Sequence, residues 1–403
     1  MTQDSVKHFD YLMVGGGTVA GFAAKGIREV DKDGTIGIIS SENDSPYTRP
    51  ALTKKIWIDD DFTEEDVPFH TEETGAEIFL QTTAVSIDKE NKAVRTSDGH
   101  TFSYGKLLLA TGGQPQRIEG PDDSRVLAFR TFDDYRTLRS ISGSGNHVIV
   151  VGGSYIGTEL AANLALNNTK VTFIYPQDTL SDNRLPKELA EEYENTYKNH
   201  GIKLISGTRA VSYDKDGDDL VVTLDNGEKV YGDAIVLGLG VKPLLELAEE
   251  SGLEVDEGVV TDTYLRTSDP DIFTAGDIAY YPDPILGRNR IEHVDHARKS
   301  GTTAGKNMAG AQEPYDYTPY FYSMVFDISW KAIGTLDPEL DYYIDEVDGG
   351  KVVYYLEDNK PVGILTWNVD PDLDEVRNVL SNPPESKDAL KGLIREKEDS
   401  ELG

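Results

Sequence analysis

The chain contains no cysteine among its 403 residues. Disulfides, cysteine nucleophiles, thiolate zinc sites, thiolate-ligated iron–sulfur clusters and covalently attached haem all need that residue, so the sequence excludes each of them. Any redox chemistry must therefore come from a bound cofactor. The seven histidines are scattered except for His293 and His296, which gives little support to a histidine-rich metal site.

Basic residues are also scarce, because 39 Lys and Arg stand against 72 Asp and Glu and the formal net charge is −33. A surface this acidic repels phosphate backbones, so nucleic acid and anionic membranes are not expected as main partners. No stretch approaches 18 consecutive apolar residues, and the first ten residues lack the layout of a secretory signal. We therefore expect a cytoplasmic protein. The excess acid favours a salt-adapted organism, since salt screens charge repulsion.

Two segments share one pattern, YLMVGGGTVAGFAAKGI from Tyr11 and HVIVVGGSYIGTELAANLA from His147. Each has a short apolar strand, a glycine turn and a helix rich in small residues. A further apolar strand follows each one, TIGIIS and KVTFIY. This is a βαβ unit written twice, as expected of two dinucleotide-binding domains. Two copies in full context favour nucleotide binding over ordinary packing.

The remaining segments complete the predicted α/β architecture of two Rossmann-like domains, the second inserted in the first, and a C-terminal α+β domain. Short alternating strands with Asp-Gly and Asn-Gly turns follow each βαβ unit. From about Tyr315 the pattern changes to longer antiparallel strands. We predict residues 1–118 and 246–313 as the first nucleotide domain, 119–245 as the second and 314–403 as the C-terminal domain.

The first fingerprint is Gly15-x-Gly17-x-x-Ala20. Gly15 permits the tight turn, Gly17 lets the backbone approach a pyrophosphate, and Ala20 allows close packing of helix on strand. The helix N-terminus then faces the phosphates. Glu42, about 20 residues further on, is the acid expected to hold the adenosine ribose hydroxyls, the alternative being a solvated loop acid.

The second fingerprint is Gly152-x-Ser154-x-x-Gly157, in which serine replaces the middle glycine. Gln177 stands where a glutamate would indicate NAD. Without a carboxylate there, a 2′-phosphate is not repelled, and Arg184 is near enough in sequence to contact one. Glutamine also serves NAD, so the sequence leaves NADH and NADPH both open.

Three further motifs complete a resemblance that covers nearly the whole chain. They are LLLATGG at Leu107–Gly113, GLGVKP at Gly238–Pro243 and TAGD at Thr274–Asp277. With the two fingerprints, the chain resembles the pyridine nucleotide oxidoreductase superfamily of flavoprotein reductases. The resemblance implies FAD in the first domain and NAD(P)H in the second. It also implies that Asp277 bonds the ribityl chain of FAD and that these motifs supply further cofactor contacts, namely Thr111, Gly112, Gly240 and Gly276.

The missing cysteines select among the branches of this superfamily, because the disulfide, peroxide and coenzyme A disulfide reductases all need one. The segment SPYTRPALTKKIW at Ser45–Trp57 instead resembles ferredoxin reductases, apoptosis-inducing-factor-like proteins and monodehydroascorbate reductases. The segments VTFIYPQ, RIEHVDHARKS at Arg290–Ser300 and YDYTPYFYSMVFDISW at Tyr315–Trp330 resemble the plant-type monodehydroascorbate reductases.

This resemblance implies roles for several side chains. Arg49 would offset the pyrophosphate charge or stabilise negative charge on the flavin, and a Lys54–Glu159 pair would lie beside flavin N5. Arg298 and Tyr322 match positions that contact ascorbate and flavin. The residues expected to line flavin and nicotinamide are Glu292, His293 and Val294, with a packing role as the alternative for His293.

The sequence therefore predicts an FAD enzyme that oxidises NADH or NADPH and passes electrons to a small organic acceptor, a monodehydroascorbate-like radical or a quinone. Two alternatives stay open. One is a reductase for a ferredoxin or rubredoxin, and the other is an apoptosis-inducing-factor-like redox sensor. A monomer or a homodimer is expected, and fold and cofactor alone do not separate these functions.

Overall fold

A computed structural model of the chain describes residues 6–143 and 145–397. The chain forms two compact units. Unit 1 contains the chain up to Ala51, Asp61–Gln114 and Val241–Pro319, and unit 2 contains Leu52–Asp60, Pro115–Gly240 and the chain from Tyr320 onward. The sequence prediction placed residues 52–60 with the first nucleotide domain, whereas the structure groups this short segment with unit 2.

The helices of the described chain are α1 Thr18–Val30, α2 Lys55–Ile58, α3 Phe132–Ile141, α4 Tyr155–Leu166, α5 Lys187–Asn199, α6 Glu246–Glu250, α7 Val294–Met308 and α8 Leu373–Ser381. Short 3₁₀ helices cover Arg49–Thr53, Glu64–Asp66, Thr71–Thr74, Gly276–Ile278 and Lys387–Leu390. Within residues 6–143 and 145–397, none of these helices combines the length and the apolar character needed to cross a membrane.

The strands up to residue 237 are β1 Lys7–Val14, β2 Ile36–Ile39, β3 Glu77–Phe79, β4 Ala84–Asp88, β5 Ala93–Thr96, β6 Thr101–Leu109, β7 Gly113–Pro115, β8 Val126–Ala128, β9 His147–Val151, β10 Lys170–Ile174, β11 Lys203–Ile205, β12 Ala210–Asp216, β13 Asp219–Leu224, β14 Lys229–Gly232 and β15 Ala234–Leu237. The later strands are β16 Val241–Pro243, β17 Val259–Val260, β18 Ile272–Thr274, β19 Ala279–Asp283, β20 Gly287–Asn289, β21 Phe321–Val325, β22 Ile328–Gly334, β23 Asp341–Val347, β24 Gly350–Glu357 and β25 Lys360–Trp367.

Unit 1 is built on a seven-stranded sheet in the order β3-β2-β1-β6-β5-β4, with β18 also paired to β6. The strands β3, β2, β1, β6 and β18 run parallel, so their carboxyl ends share one edge, where the loops of a nucleotide site are expected. Helices α1 and α7 pack closely because α7 presents glycines. A Cβ on Gly305 would lie 2.2 Å from the carbonyl oxygen of Ala23, and one on Gly301 would lie 2.8 Å from that of Val19.

Unit 2 contains a five-stranded parallel sheet in the order β11-β10-β9-β15-β8. An antiparallel three-stranded sheet, β12-β13-β14, packs beside it through a shared apolar cluster. A separate five-stranded antiparallel sheet, β21-β22-β25-β24-β23, follows at the C-terminal end. Each parallel sheet thus carries one copy of the strand–turn–helix–strand unit, and the predicted α/β class is confirmed.

Candidate functional site

The first glycine turn, at the end of β1, has the geometry of a pyrophosphate site. Gly15 has φ +116°, and a Cβ there would lie 2.0 Å from the carbonyl oxygen of Ala110, so a side chain would force the backbone to move. A Cβ on Gly17 would meet only a nitrogen of Arg49, at 3.7 Å. The start of α1 is therefore open to a ligand, and its N-terminal amides favour a phosphate.

Glu42 and Arg49 lie together beside this turn. The Glu42 carboxylate forms an ion pair with Arg49 and accepts a hydrogen bond of 2.7 Å from the Tyr47 hydroxyl. Arg49 Nη1 donates to the same hydroxyl at 2.8 Å. Both charged side chains are partly buried. The structure thus brings the predicted acid and the predicted cation to the edge of the sheet where β1 ends, and Arg49 orients the carboxylate.

Two more loops of unit 1 follow strands β6 and β18 at the same sheet edge. After β6, the Thr111 hydroxyl donates to the carbonyl oxygen of Leu244 at 2.7 Å, and Gly112 has φ +64°. After β18, the Gly276 amide donates to Ser300 Oγ at 3.0 Å, and the Asp277 carbonyl accepts from Arg290 at 3.0 Å. The residues of these two motifs for which cofactor contacts are predicted thus lie at the same sheet edge as the first glycine turn.

The start of α7 carries three predicted residues of unit 1. His293 is the N-cap of the helix, and its Nδ1 accepts the Asp295 amide at 3.2 Å. Glu292 pairs with Arg290 at 2.5 Å, and Val294 begins the helix. The cap is a structural role of the kind considered for His293 in the sequence analysis, and its predicted role against a cofactor stays a prediction.

Sequence reasoning assigned no role to His296, which the structure buries completely. Its ring stacks on Tyr281 with centroids 4.7 Å apart, and its Nδ1 lies 2.9 Å from the Tyr315 hydroxyl. Burial lowers the pKa of His296 to about 3, so the imidazole is neutral at pH 7. Its sequence signal was its closeness to His293, the other histidine of this segment.

Arg298 lies one turn along α7 from the cap. Its Nη2 donates to Thr48 Oγ1 at 3.4 Å, and its guanidinium centre is 5.6 Å from the Phe22 ring. Among the described residues, its buried Nε has no hydrogen-bond partner. A buried donor on a cation is costly to leave unpaired, so this atom fits an anionic ligand.

The second glycine turn, in unit 2, repeats the geometry of the first. Gly152 has φ +103°, and a Cβ there would lie 2.4 Å from the Gly238 carbonyl oxygen. A Cβ on Gly157 would lie 1.9 Å from the carbonyl oxygen of Gly152. Ser154, which replaces the middle glycine, is the N-cap of α4, and its Oγ accepts the Gly157 amide at 3.4 Å. The substitution therefore caps the helix and leaves the turn intact.

Gln177 and Arg184 both lie beside this turn. Arg184 Nη2 donates to the Gly153 carbonyl at 3.2 Å, and its guanidinium lies 4.6 Å from the centre of the Tyr155 ring. In the described part of the chain, the buried Gln177 Oε1 finds no donor. This Gln177 oxygen is therefore a buried acceptor that a ligand at the turn can use.

Gly240, another predicted contact residue, has φ +85°, and its carbonyl oxygen accepts the Gln116 amide at 3.0 Å.

The predicted Lys54–Glu159 pair is confirmed in unit 2, where Lys54 Nζ lies 2.7 Å from Glu159 Oε1. The exposed fractions of the two side chains are 15% and 3%. Lys54 Nζ also lies 4.9 Å from the centre of the Tyr322 ring. Two hydroxyls that sequence reasoning missed complete the cluster, Thr53 and Ser323. Their only signal was adjacency, because Thr53 precedes Lys54 and Ser323 follows Tyr322.

These features suit two dinucleotides and a redox enzyme, and comparisons with known proteins agree. Residues 9–301 match the family described as "Pyridine nucleotide-disulphide oxidoreductase". The chain is 32% identical to "Monodehydroascorbate reductase" of Solanum lycopersicum, covering 95% of this chain and 97% of that protein. It is 33% identical to "Monodehydroascorbate reductase" of Pisum sativum, with 91% and 92% covered.

Solved structures give the same picture. The "Ferredoxin Reductase for the CYP199A2 System from Rhodopseudomonas palustris" superposes with a TM-score of 0.80 at 27% identity, covering 89% of this chain and 91% of that one. The reductase in the "covalent putidaredoxin reductase-putidaredoxin complex" gives 0.83 at 25% identity, with 93% of each chain covered. The chain belongs to the pyridine nucleotide-disulphide oxidoreductase family and is an FAD-dependent NAD(P)H oxidoreductase.

Proposed function

We propose that this oxidoreductase reduces a small organic radical of the monodehydroascorbate type. The observation that carries the proposal is the similarity at 32–34% identity to proteins named monodehydroascorbate reductase, over most of the chain. The buried Nε of Arg298, which has no hydrogen-bond partner within the described residues, supports it, because a radical anion needs such a donor. A bound FAD would supply the redox chemistry, because a flavin can accept a hydride from a nicotinamide and can pass on two electrons singly.

Both units carry residues that have roles in the proposed function. In unit 1, the turn from Gly15 to Ala20 would bind the FAD pyrophosphate, Glu42 the adenosine ribose and Asp277 the ribityl chain. In unit 2, the turn from Gly152 to Gly157 would bind the pyrophosphate of NAD(P)H. Lys54, held by Glu159, would place a positive charge where negative charge develops on the flavin during reduction.

Turnover of the ascorbate radical tests the function directly. We expect NADH oxidation to rise in step with radical generated in situ from ascorbate, well above the rate without ascorbate. Parallel assays with benzoquinone and with a ferredoxin as the electron acceptor distinguish a small acceptor from a protein acceptor. Radical-dependent turnover no faster than the background would refute the proposal. Turnover of only a few per minute, with an NADH-dependent change in oligomeric state, would favour the redox sensor. The salt adaptation inferred from the acidic composition stays a prediction. So does the cytoplasmic location, which was inferred from the lack of a long apolar stretch and of a secretory signal.

We expect NADH to be preferred over NADPH by about tenfold in kcat/KM. The buried Gln177 Oε1 can accept a hydrogen bond from a ribose 2′-hydroxyl, while Arg184 is already engaged by Gly153 and Tyr155. One such hydrogen bond is worth roughly 0.5–1.5 kcal/mol, and the upper part of this range corresponds to about a factor of ten. Gln177→Glu should increase the preference because a carboxylate repels a 2′-phosphate. Steady-state kinetics with both nucleotides measure this, and a preference for NADPH in the wild type would contradict it.

Arg298→Ala is expected to slow reoxidation by the ascorbate radical about 10- to 150-fold and to leave reduction by NADH within about twofold. The loss is that of a hydrogen bond to a charged group, roughly 1.5–3 kcal/mol. Tyr322→Phe should give a smaller effect of the same kind. Stopped-flow measurement of each half-reaction separates the two. The neighbouring exposed Lys299, changed to Ala, is the matched control. Slower reduction by NADH in Arg298→Ala would show that this residue acts in reduction and not in reoxidation.

A further inference from the structure

The Glu159 carboxylate in unit 2 accepts from three donors that come from two other segments of the chain. Lys54 Nζ lies 2.7 Å from Oε1, Ser323 Oγ donates to the same oxygen at 2.9 Å, and Thr53 Oγ1 donates to Oε2 at 2.6 Å. The carboxylate itself sits on α4, four residues beyond the start of the helix. Helix α4, the segment around residue 53 and strand β21 therefore meet at one buried charge.

The two hydroxyls are not needed to neutralise the Glu159 carboxylate, because Lys54 already supplies a positive charge. A buried carboxylate is stable only when its remaining lone pairs are satisfied as well. Thr53 and Ser323 satisfy different oxygens, so they fix the rotation of the carboxylate about its final bond. Asn163, one turn further along α4, donates to the Thr53 carbonyl at 2.6 Å and holds that segment against the helix.

Ser323 also connects this carboxylate to the strand that carries Tyr322. Successive side chains of a strand point to opposite faces, so a hydrogen bond at Ser323 sets the rotation of the strand at its neighbour. The Tyr322 ring in turn lies 4.9 Å from Lys54 Nζ. Lys54 therefore contacts both Glu159 and Tyr322. Ser323, which follows Tyr322 in the strand, is hydrogen-bonded to the Glu159 carboxylate.

We propose that Thr53 and Ser323 are positioning residues for electron transfer. Both hold Glu159 and, through it, the Lys54 ammonium, and Ser323 in addition sets the position of Tyr322. The roles of Lys54 and Tyr322 are those of the proposed function, on which this inference rests. Loss of the Thr53 hydroxyl then affects mainly reduction by NADH, because it reaches Tyr322 only through Lys54, whereas loss of the Ser323 hydroxyl affects reduction and reoxidation together.

The test measures the two half-reactions of the FAD-loaded enzyme by stopped flow. Thr53→Val and Ser323→Ala should each slow reduction by NADH about five- to tenfold. Ser323→Ala should also slow reoxidation by benzoquinone by about fivefold, clearly more than Thr53→Val does. Thr53→Ser and Ser323→Thr keep a hydroxyl and should recover most of the rate. Ser329→Ala, an exposed serine on the neighbouring strand β22, is the matched control. FAD content and circular dichroism check that each variant folds.

A double-mutant cycle adds a readout that general destabilisation does not move. Ser323→Ala combined with Tyr322→Phe should be less than additive in reoxidation, because both changes disturb one ring, whereas Thr53→Val with Tyr322→Phe should be additive. Reduction within twofold of wild type in both Thr53→Val and Ser323→Ala would overturn the proposal. Reoxidation unaffected by Ser323→Ala would overturn the link to Tyr322. Because benzoquinone is the acceptor, these results are independent of whether the ascorbate radical is a substrate.

Discussion

Replacing Lys54 with methionine is expected to slow reduction of the bound flavin by NADH about 100-fold. Lys54 is largely buried and lies 2.7 Å from Glu159. Under the proposed function, its charge would stabilise the negative charge that develops on the flavin during reduction. Removing one preorganised electrostatic donor from such a site costs about 10²- to 10³-fold in rate. Methionine keeps the apolar length of the side chain, so packing changes little. The loss then reports the ammonium together with the Glu159 carboxylate that it leaves without a cation.

Lys55 is the matched control for this experiment. It is the next residue, 59% exposed, and its partner is Asp59 at 3.4 Å. Lys55→Met should therefore reduce at the wild-type rate, because an exposed ion pair contributes little. Anaerobic stopped-flow absorbance of the flavin is the measurement, with FAD content confirming occupancy. Equal rates in the two variants would show that the Lys54–Glu159 pair has no role in this step.

The second large effect concerns stability in acid. The folded protein holds His296 with a pKa of about 3, because burial disfavours the imidazolium, while an unfolded histidine titrates near 6.5. Below pH 6.5 the unfolded state therefore binds a proton that the folded state excludes. The free energy of unfolding falls as the pH falls through this window, by about 3 kcal/mol between pH 7 and 4.5 from this one residue.

His296→Gln removes the titration and keeps an amide that can bond to Tyr315. We expect the variant to lose about 3 kcal/mol less than the wild type between pH 7 and 4.5, whatever its stability at pH 7. Urea unfolding in excess FAD, followed by circular dichroism, gives both values. The carboxylates facing this cluster, Asp283 and Asp295, are unchanged and cancel in the difference. His70→Gln, at an exposed histidine, should follow the wild type. Parallel pH dependence in the wild type and His296→Gln would refute the assignment.

Much of the nucleotide machinery was predictable because it depends on local pattern. The glycines of the two turns are needed where a Cβ would collide with a carbonyl oxygen, as at Gly15 and Gly157. The apolar strands and small-residue helices around them follow from periodicity. Ser154 departs from the middle glycine of the fingerprint, and the structure shows that its hydroxyl caps α4.

Other features had no local signature. Thr53 and Ser323 are 270 residues apart in the chain, and both donate to the Glu159 carboxylate. The burial of His296 depends on Tyr281, which precedes it in the chain, and on Tyr315, which follows it. Hydrogen bonds between distant side chains leave no periodic trace in the chain, so neither arrangement was predictable.

The sequence alone therefore determined the class of fold, the two dinucleotide-binding units and the exclusion of cysteine chemistry, since residue type and spacing decide these. Only the tertiary structure decided which charges are buried and what holds them: the clamp of two hydroxyls on Glu159, the orphaned nitrogen of Arg298 and the neutral imidazole of His296. The physical reason is desolvation. The energy of a polar group depends on which atoms surround it, and packing brings those atoms from segments far apart in the chain.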